Sequence, residues 1–307
     1  MKHYSVLKAE VIENLCIDES GIYVDGTLGY AGHSQDLLKR IKRGFLFAFD
    51  QDAEAIKHSD EVLKSVGQNY KIFHTNFCFM KSVLQDEGIT QVDGILFDLG
   101  FSSPQIDDES RGFSFMKEAI LDMRMDQRQD LDARIIVNNY SVEELTNIFY
   151  IYGEEPRSRD IAKKIVNSRK DKEINTTTEL VSIIESGVGA KYFNLKHPER
   201  NIFQAIRIEV NSELTVLSQV LPDAIDLLKS GGRLCVITFH SLEDRIVKQI
   251  FKKYSEVNDL VKGLPVIPEE YKPIIKLINR KPILPGEQEL EENSRSRSAK
   301  LRIIERI

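Results

Sequence analysis

Three carboxylates stand where short apolar runs end, and they are the residues of this 307-residue chain best placed to do chemistry: Asp25, Asp50 and Asp98. Asp25 sits in V-D-G-T-L-G-Y-A-G-H, Val24 to His33, where an apolar run ends in an acid and Gly26, Gly29 and Gly32 lead on toward a helix. Glycines at such a turn let the backbone approach a ligand closely. A plain tight turn would use the same residues, so the motif gains meaning from Asp50. That acid ends the next apolar run roughly twenty residues later, where a carboxylate can accept hydrogen bonds from ribose hydroxyls. A dinucleotide-binding dehydrogenase would share both features. Asp25 separates the two readings, because an acid at that strand end repels a pyrophosphate but suits the ammonium and sulfonium groups of S-adenosylmethionine.

Asp98 ends the fourth run, D-G-I-L-F-D-L-G-F-S-S-P-Q. An exocyclic amine that is to be methylated needs acceptors that hold its protons and aim its lone pair at the methyl carbon. Asp98, with backbone carbonyls near Phe101 and Ser102 and the Ser103-Pro104 turn, can supply them; the lesser alternative is that the acid only caps the turn. Methylation at a ring carbon would instead require an activated thiolate. Cys235 lies in an apolar strand, and Cys16 and Cys78 lack a recognisable active-site loop. In T-F-H-S-L-E-D-R, His240 and Arg245 can reach the same crevice, or Ser241 and Asp244 can simply start a helix. No ligand spacing points to a metal.

The elements that must position these groups read as an open α/β sheet. Apolar runs at 22 to 25, 45 to 50, 70 to 74 and 94 to 98 alternate with helical patterns around Leu37, Leu38 and Ile41, and around Ala55, Ile56, Val62 and Leu63. After Pro104 the period turns helical for about a hundred residues. Capping boxes at Ser141 with Glu144 and at Thr176 with Glu179 predict two helices, Ile161 and Ile165 mark another, and Phe203 through Leu221 predict one long return helix. Strand character returns at 233 to 239, where Gly231 and Gly232 are placed to stop the preceding helix. A helix over 242 to 254 follows. Runs at 275 to 281 and 299 to 306 are expected to pair as an antiparallel hairpin at the sheet edge. The predicted organisation is a discontinuous sheet domain, 1–106 with 212–307, carrying a helical insertion at 107–211 that would recognise substrate.

A net charge of −6 argues against indiscriminate nucleic-acid binding, since sequence-independent affinity needs cations that displace counterions. RNA contacts would be local: Arg111, Arg124 and Arg128, or the tail S-R-S-R-S-A-K-L-R. Three scattered cysteines, no run of roughly 18 apolar residues and no signal-peptide pattern at the start fit a cytoplasmic protein without a membrane span.

Taken together, H-Y-S-V-L, D-G-T-L-G-Y-A-G-H, D-L-G-F-S-S-P-Q, R-G-F-S-F, L-D-M-R-M-D, Y-G-E-E, F-Q-A-I-R-I-E-V-N-S-E-L, F-H-S-L-E-D-R and R-S-A-K-L-R resemble the bacterial ribosomal RNA small-subunit methyltransferase H family almost end to end. The resemblance implies a Rossmann-like methyltransferase sheet with an inserted helical domain, and methylation of a cytidine N4 amino group in the decoding region of 16S rRNA, within the small ribosomal subunit. It implies cofactor contacts at Ala31, Gly32, His33, Asp50, Phe77, Asp98 and Gln105, with Asp98 also the catalytic candidate. Arg111, Arg124, His240 and Arg245 are the candidate RNA contacts. This chain departs from the family where Tyr30 and Ala31 replace the usual Arg-Gly of G-R-G-G-H, and at Glu199 to Ile202 of H-P-E-R-N-I-F-Q, so RNA contacts there are open. Other readings are a methyltransferase for a different amino group, such as adenine in DNA or a protein glutamine, a catalytically silent RNA-binding factor, and a dehydrogenase.

Overall fold

The computed structural model describes residues 5–15, 18–257, 261 and 263–307, without the side chain of residue 103. His3, Tyr4 and Cys16 of the sequence reading lie outside the described residues. The chain divides into two compact units, Met1–Gly100 with Leu214–Ile307, and Phe101–Glu213.

In the first unit, the expected runs form parallel strands β1 (Ile22–Asp25), β2 (Phe45–Asp50), β3 (Tyr70–His74) and β4 (Val92–Asp98). β5 (Leu228–Thr238) continues the parallel set, and β6 (Ile275–Leu277) and β7 (Lys300–Arg306) close the edge antiparallel, in the order β3-β2-β1-β4-β5-β7-β6. Strand order reverses between β1 and β4, the switch point at which open α/β sheets leave a crevice beyond the strands' carboxyl ends.

Successive strand residues point to opposite faces, which explains the nearly continuous apolar runs. Val24, Phe47, Phe49, Ile95, Phe97 and Val236 pack on one face with helices α4 (Met80–Asp86), α12 (Glu213–Leu227) and α13 (Ser241–Ser255). Tyr23, Leu46, Ala48, Leu96, Cys235 and Ile237 pack on the other with α1 (Lys8–Leu15), α2 (Gly32–Arg40) and α3 (Ala53–Lys64). Both sheet faces are therefore covered, as a doubly wound sheet requires.

The helical unit holds α5 (Ser103–Asp107), α6 (Ala133–Asn139), α7 (Val142–Ile151), α8 (Ser158–Ser168), α9 (Thr177–Val188), α10 (Ala190–Lys196) and α11 (Pro198–Asn211) around its own core, which includes Phe149, Ile161, Leu180 and Ile206. The expected capping boxes form at Ser141 with Glu144 and at Thr176 with Glu179.

Three expectations need correction. The single return helix is two, α11 and α12, broken at Ser212, whose φ of 50° lies in the left-handed region that a helix cannot pass through. Gly231 and Gly232 do not stop the preceding helix, which ends at Leu227; they lie inside β5, where the pairing with β4 shifts register between Val92 and Gly94. The strand expected over 275 to 281 is only three residues long.

Candidate functional site

The switch point puts Asp25, Asp50 and Asp98 at the carboxyl ends of adjacent strands, with Asp25 opposite Ala48 and Asp98 opposite Ile237 in the ladder. The loop after β1 is bent to meet them. Gly29 has φ 50° and Ala31 φ 62°, two left-handed residues in one short turn. Gly26 must be a glycine for a different reason, since a Cβ there would lie 2.3 Å from the Phe97 ring. The turn is tied down by Leu28 N–H donating to Phe49 O at 2.9 Å and by Ser59 Oγ donating to Gly29 O at 2.6 Å.

Each acid has its own surroundings. Asp25 is 1% exposed and accepts from Ser34 Oγ at 2.6 Å and Thr27 N–H at 3.0 Å. Burial pushes its carboxyl above the usual range, against those hydrogen bonds, and the charge of Asp98 adds to the rise. Asp50 accepts from Gly29 N–H at 2.7 Å and Asp52 N–H at 2.8 Å, which joins the first loop to the start of α3. Burial lifts its carboxyl to about 6, with the backbone donors opposing and the charges of Asp52 and Asp25 adding. Asp98 is anchored through its backbone N–H, which donates to Thr27 Oγ1 at 2.6 Å. Its Oδ2 lies 3.4 Å from Nε2 of the buried His33, while Oδ1 is buried without a hydrogen-bond partner.

The charge of Asp98 raises Asp25 and that of Asp25 raises Asp50, and repulsion of this kind favours a cation among the acids. A methylated sulfonium carrying an α-ammonium group suits these carboxylates, and Oδ1 of Asp98 and Nδ1 of His33 are buried without partners, as in a site that a ligand completes. S-adenosylmethionine therefore fits the residues present, whereas a pyrophosphate would meet like charge.

Of the remaining site residues in this unit, Phe77 opens a short 3-10 turn (Phe77–Phe79) and packs on Phe97 with ring centroids 5.2 Å apart. His240 immediately precedes α13, with Nε2 3.1 Å from the Oε1 of buried Glu243, whose Oε2 accepts the Phe239 and His240 N–H groups. Arg245, one turn into α13, is exposed. The next-door Asp244 is engaged by Arg302 at 2.6 Å, which with Lys300 outweighs burial and holds its carboxyl below the usual range.

In the helical unit, Gln105 closes the capping box of α5, its Oε1 accepting Ser102 N–H at 2.8 Å. Arg111 is a correction. It is 1% exposed and donates to Arg124 O at 3.0 Å and Met125 O at 3.3 Å, so its guanidinium satisfies a buried loop and is shut off from an RNA phosphate. Arg124 is also engaged, through Nε and Nη2 with Asp122 and through Nη1 with the carbonyls of Gln127 and Gln129. Arg128 pairs with Asp126 at an exposed position.

Sequence reasoning passed over Thr27, Ser34 and Glu289. Thr27 lies inside the recognised motif and Ser34 directly follows it, and both could have been found as small hydroxyl residues close to its acids. Glu289, on α14 (Glu287–Glu292), had no local signal. It accepts Leu7 N–H at 3.0 Å, and its carboxyl is pushed up by burial and by the charges of Glu10 and Asp98, against that of His33.

Among the described residues, no helix is long and apolar enough to cross a membrane. Three solved structures similar to this chain are an rRNA methylase from Streptococcus thermophilus, a Streptococcus mutans protein in complex with SAH, and a SAM-dependent O-methyltransferase from Thermotoga maritima. The first is 12% identical, covering 98% of this chain and 93% of the other at a TM-score of 0.42. The second is 11% identical, covering 100% of both at 0.44. The third is 8% identical, covering 100% of this chain and 68% of the other at 0.42. Such distant likenesses carry no weight for the site. The family model described as the MraW methylase family matches residues 1–307. The chain belongs to that family, the S-adenosylmethionine-dependent methyltransferases of ribosomal RNA.

Proposed function

We propose that this protein methylates the exocyclic N4 amino group of a cytidine in the decoding region of 16S rRNA, with the small ribosomal subunit as substrate. Family membership carries the reading to ribosomal RNA, and the state of the two described cysteines, Cys78 and Cys235, favours an amino group over a ring carbon. Cys235 is fully buried and its thiol is pushed up to about 12; burial raises Cys78 as well. Neither offers the thiolate that attack on the cytosine ring would need. An amino nitrogen attacks directly and needs an acceptor for its proton, a role we give to Asp98.

In this reading, Ala31, Gly32 and His33 line the methionine end of the cofactor, Asp50 accepts from the ribose hydroxyls, and Phe77 borders the adenine. S-adenosylmethionine supplies the electrophilic methyl group. Asp98 holds the amine, and the helical unit captures the RNA, with His240 and Arg245 as further contacts.

The test is to incubate the protein with isotopically labelled S-adenosylmethionine and purified small subunits, then digest the rRNA and identify the labelled nucleoside by mass spectrometry. N4-methylcytidine is expected. Label in 5-methylcytidine, in an adenine or in ribosomal protein would overturn the assignment.

A further inference from the structure

Three buried polar atoms without hydrogen-bond partners belong to the neighbouring pair His33 and Asp98. His33 is 5% exposed, and neither ring nitrogen has a hydrogen-bond partner; Asp98 Oδ1 has none either. Such groups are costly to bury unsatisfied. Nε2 of His33 stands 3.4 Å from Asp98 Oδ2, a few tenths of an ångström beyond a well-formed hydrogen bond, and contacts of this kind tighten when a site is loaded.

Both residues are firmly based. Thr27 Oγ1 holds the Asp98 backbone, and His33 occupies the first turn of α2 between left-handed Ala31 and Ser34, which is fixed to Asp25. Asp25 and Glu289 also lie within electrostatic reach of His33. Asp25 is committed to Ser34 and Thr27, and Glu289 to Leu7, so Asp98 is the one of the three carboxylates with a buried oxygen left without a partner.

We infer that His33 is a positioning residue for methyl transfer: its Nε2–H donates to Asp98 Oδ2 and turns Oδ1 toward the substrate amine, making Oδ1 the atom that receives the amine proton. The inference rests on the amine-methylation reading above. In the step, the amine lone pair forms the new N–C bond as the methyl–sulfur bond breaks and its electron pair stays on sulfur. The proton then passes to Asp98 Oδ1, and the N–H electron pair remains on nitrogen and neutralises it. A carboxylate left free to rotate would spend part of its time with neither oxygen aimed at the amine, so the histidine acts on the rate of the chemical step.

The experiment is single-turnover methyl transfer to small subunits at saturating S-adenosylmethionine, which separates this role from any contact His33 makes with the cofactor. His33→Ala is expected to lower the rate about a hundredfold, the lower end of what positioned acid–base groups contribute. His33→Gln, whose amide N–H can replace the Nε2 donor, should recover most of the loss, and the shorter His33→Asn should not. Asp98→Asn should fall at least as far, and adding His33→Ala to it should lower the rate little more. If the His33→Ala loss vanishes at saturating cofactor, or if Gln rescues no better than Asn, the positioning role is overturned; the Gln and Asn pair decides the matter should the alanine variant not fold. Wild-type protein that transfers no methyl group to small subunits would overturn the functional reading, and this inference with it.

Discussion

Replacing Asp50 by alanine removes both oxygens that join the first loop to α3, one accepting Gly29 N–H at 2.7 Å and the other Asp52 N–H at 2.8 Å. A carboxylate has about four lone-pair sites, so two remain for ribose hydroxyls. Losing a charged acceptor costs about 1.5–3 kcal/mol, which corresponds to a Kd for S-adenosylmethionine roughly ten- to a hundredfold higher. The ionisation behaviour gives an independent check. Burial lifts the Asp50 carboxyl to about 6, and ribose hydroxyls donate better to the ionised form. As pH falls through about 6 the free protein takes up a proton that binding must displace, so affinity drops by up to tenfold per pH unit until that same ten- to hundredfold is exhausted. At pH well above 6 the dependence disappears. Asp50→Asn, which cannot ionise, should bind weakly and show no such slope, which separates Asp50 from Asp25. Calorimetric titration of wild type and both variants between about pH 7.5 and 5, with circular dichroism to confirm folding, measures all of this. A wild-type affinity that stays flat across the range, or an alanine variant that binds normally, would remove Asp50 from the cofactor site.

Three more outcomes are expected. Gly26→Ala drives a Cβ to within 2.3 Å of the Phe97 ring and should destabilise the protein by about 1–3 kcal/mol in denaturant unfolding; an unchanged midpoint would mean that the turn relaxes freely. Replacing Cys16, Cys78 and Cys235 together by alanine should leave methyl transfer within a few fold of wild type, whereas a folded but inactive triple variant would revive ring-carbon chemistry. Arg111→Ala should cost about 3 kcal/mol, because it strips a buried loop of charged donors, while Arg128→Ala should barely move the melting temperature. If Arg111→Ala melted normally and instead flattened the salt dependence of RNA binding, its assignment as a buried structural group would fail.

What the sequence determined by itself was local. The strands at 22 to 25 and 45 to 50 form as read, because residues that cover both faces of a buried parallel sheet leave continuous apolar runs, and the run at 70 to 74 forms as an edge strand with Lys71 and His74 exposed. The boxes at Ser141 and Thr176 form because a cap and its partner three residues on lie within one turn. The return helix shows the limit of periodicity: apolar spacing runs on through Ser212, yet one left-handed residue splits the helix, and side-chain spacing carries no record of that φ. Arginine reads alike whether it meets solvent or a carbonyl, so only the packed loop decided that Arg111 is buried on Arg124 O and Met125 O. Around the candidate site, Asp25, Asp50 and Asp98 were legible because each ends its own strand. That Asp98 lies beside His33, and that Glu289 comes back from near the end of the chain to Leu7, follow from strand order and long-range closure, which no short stretch of sequence contains.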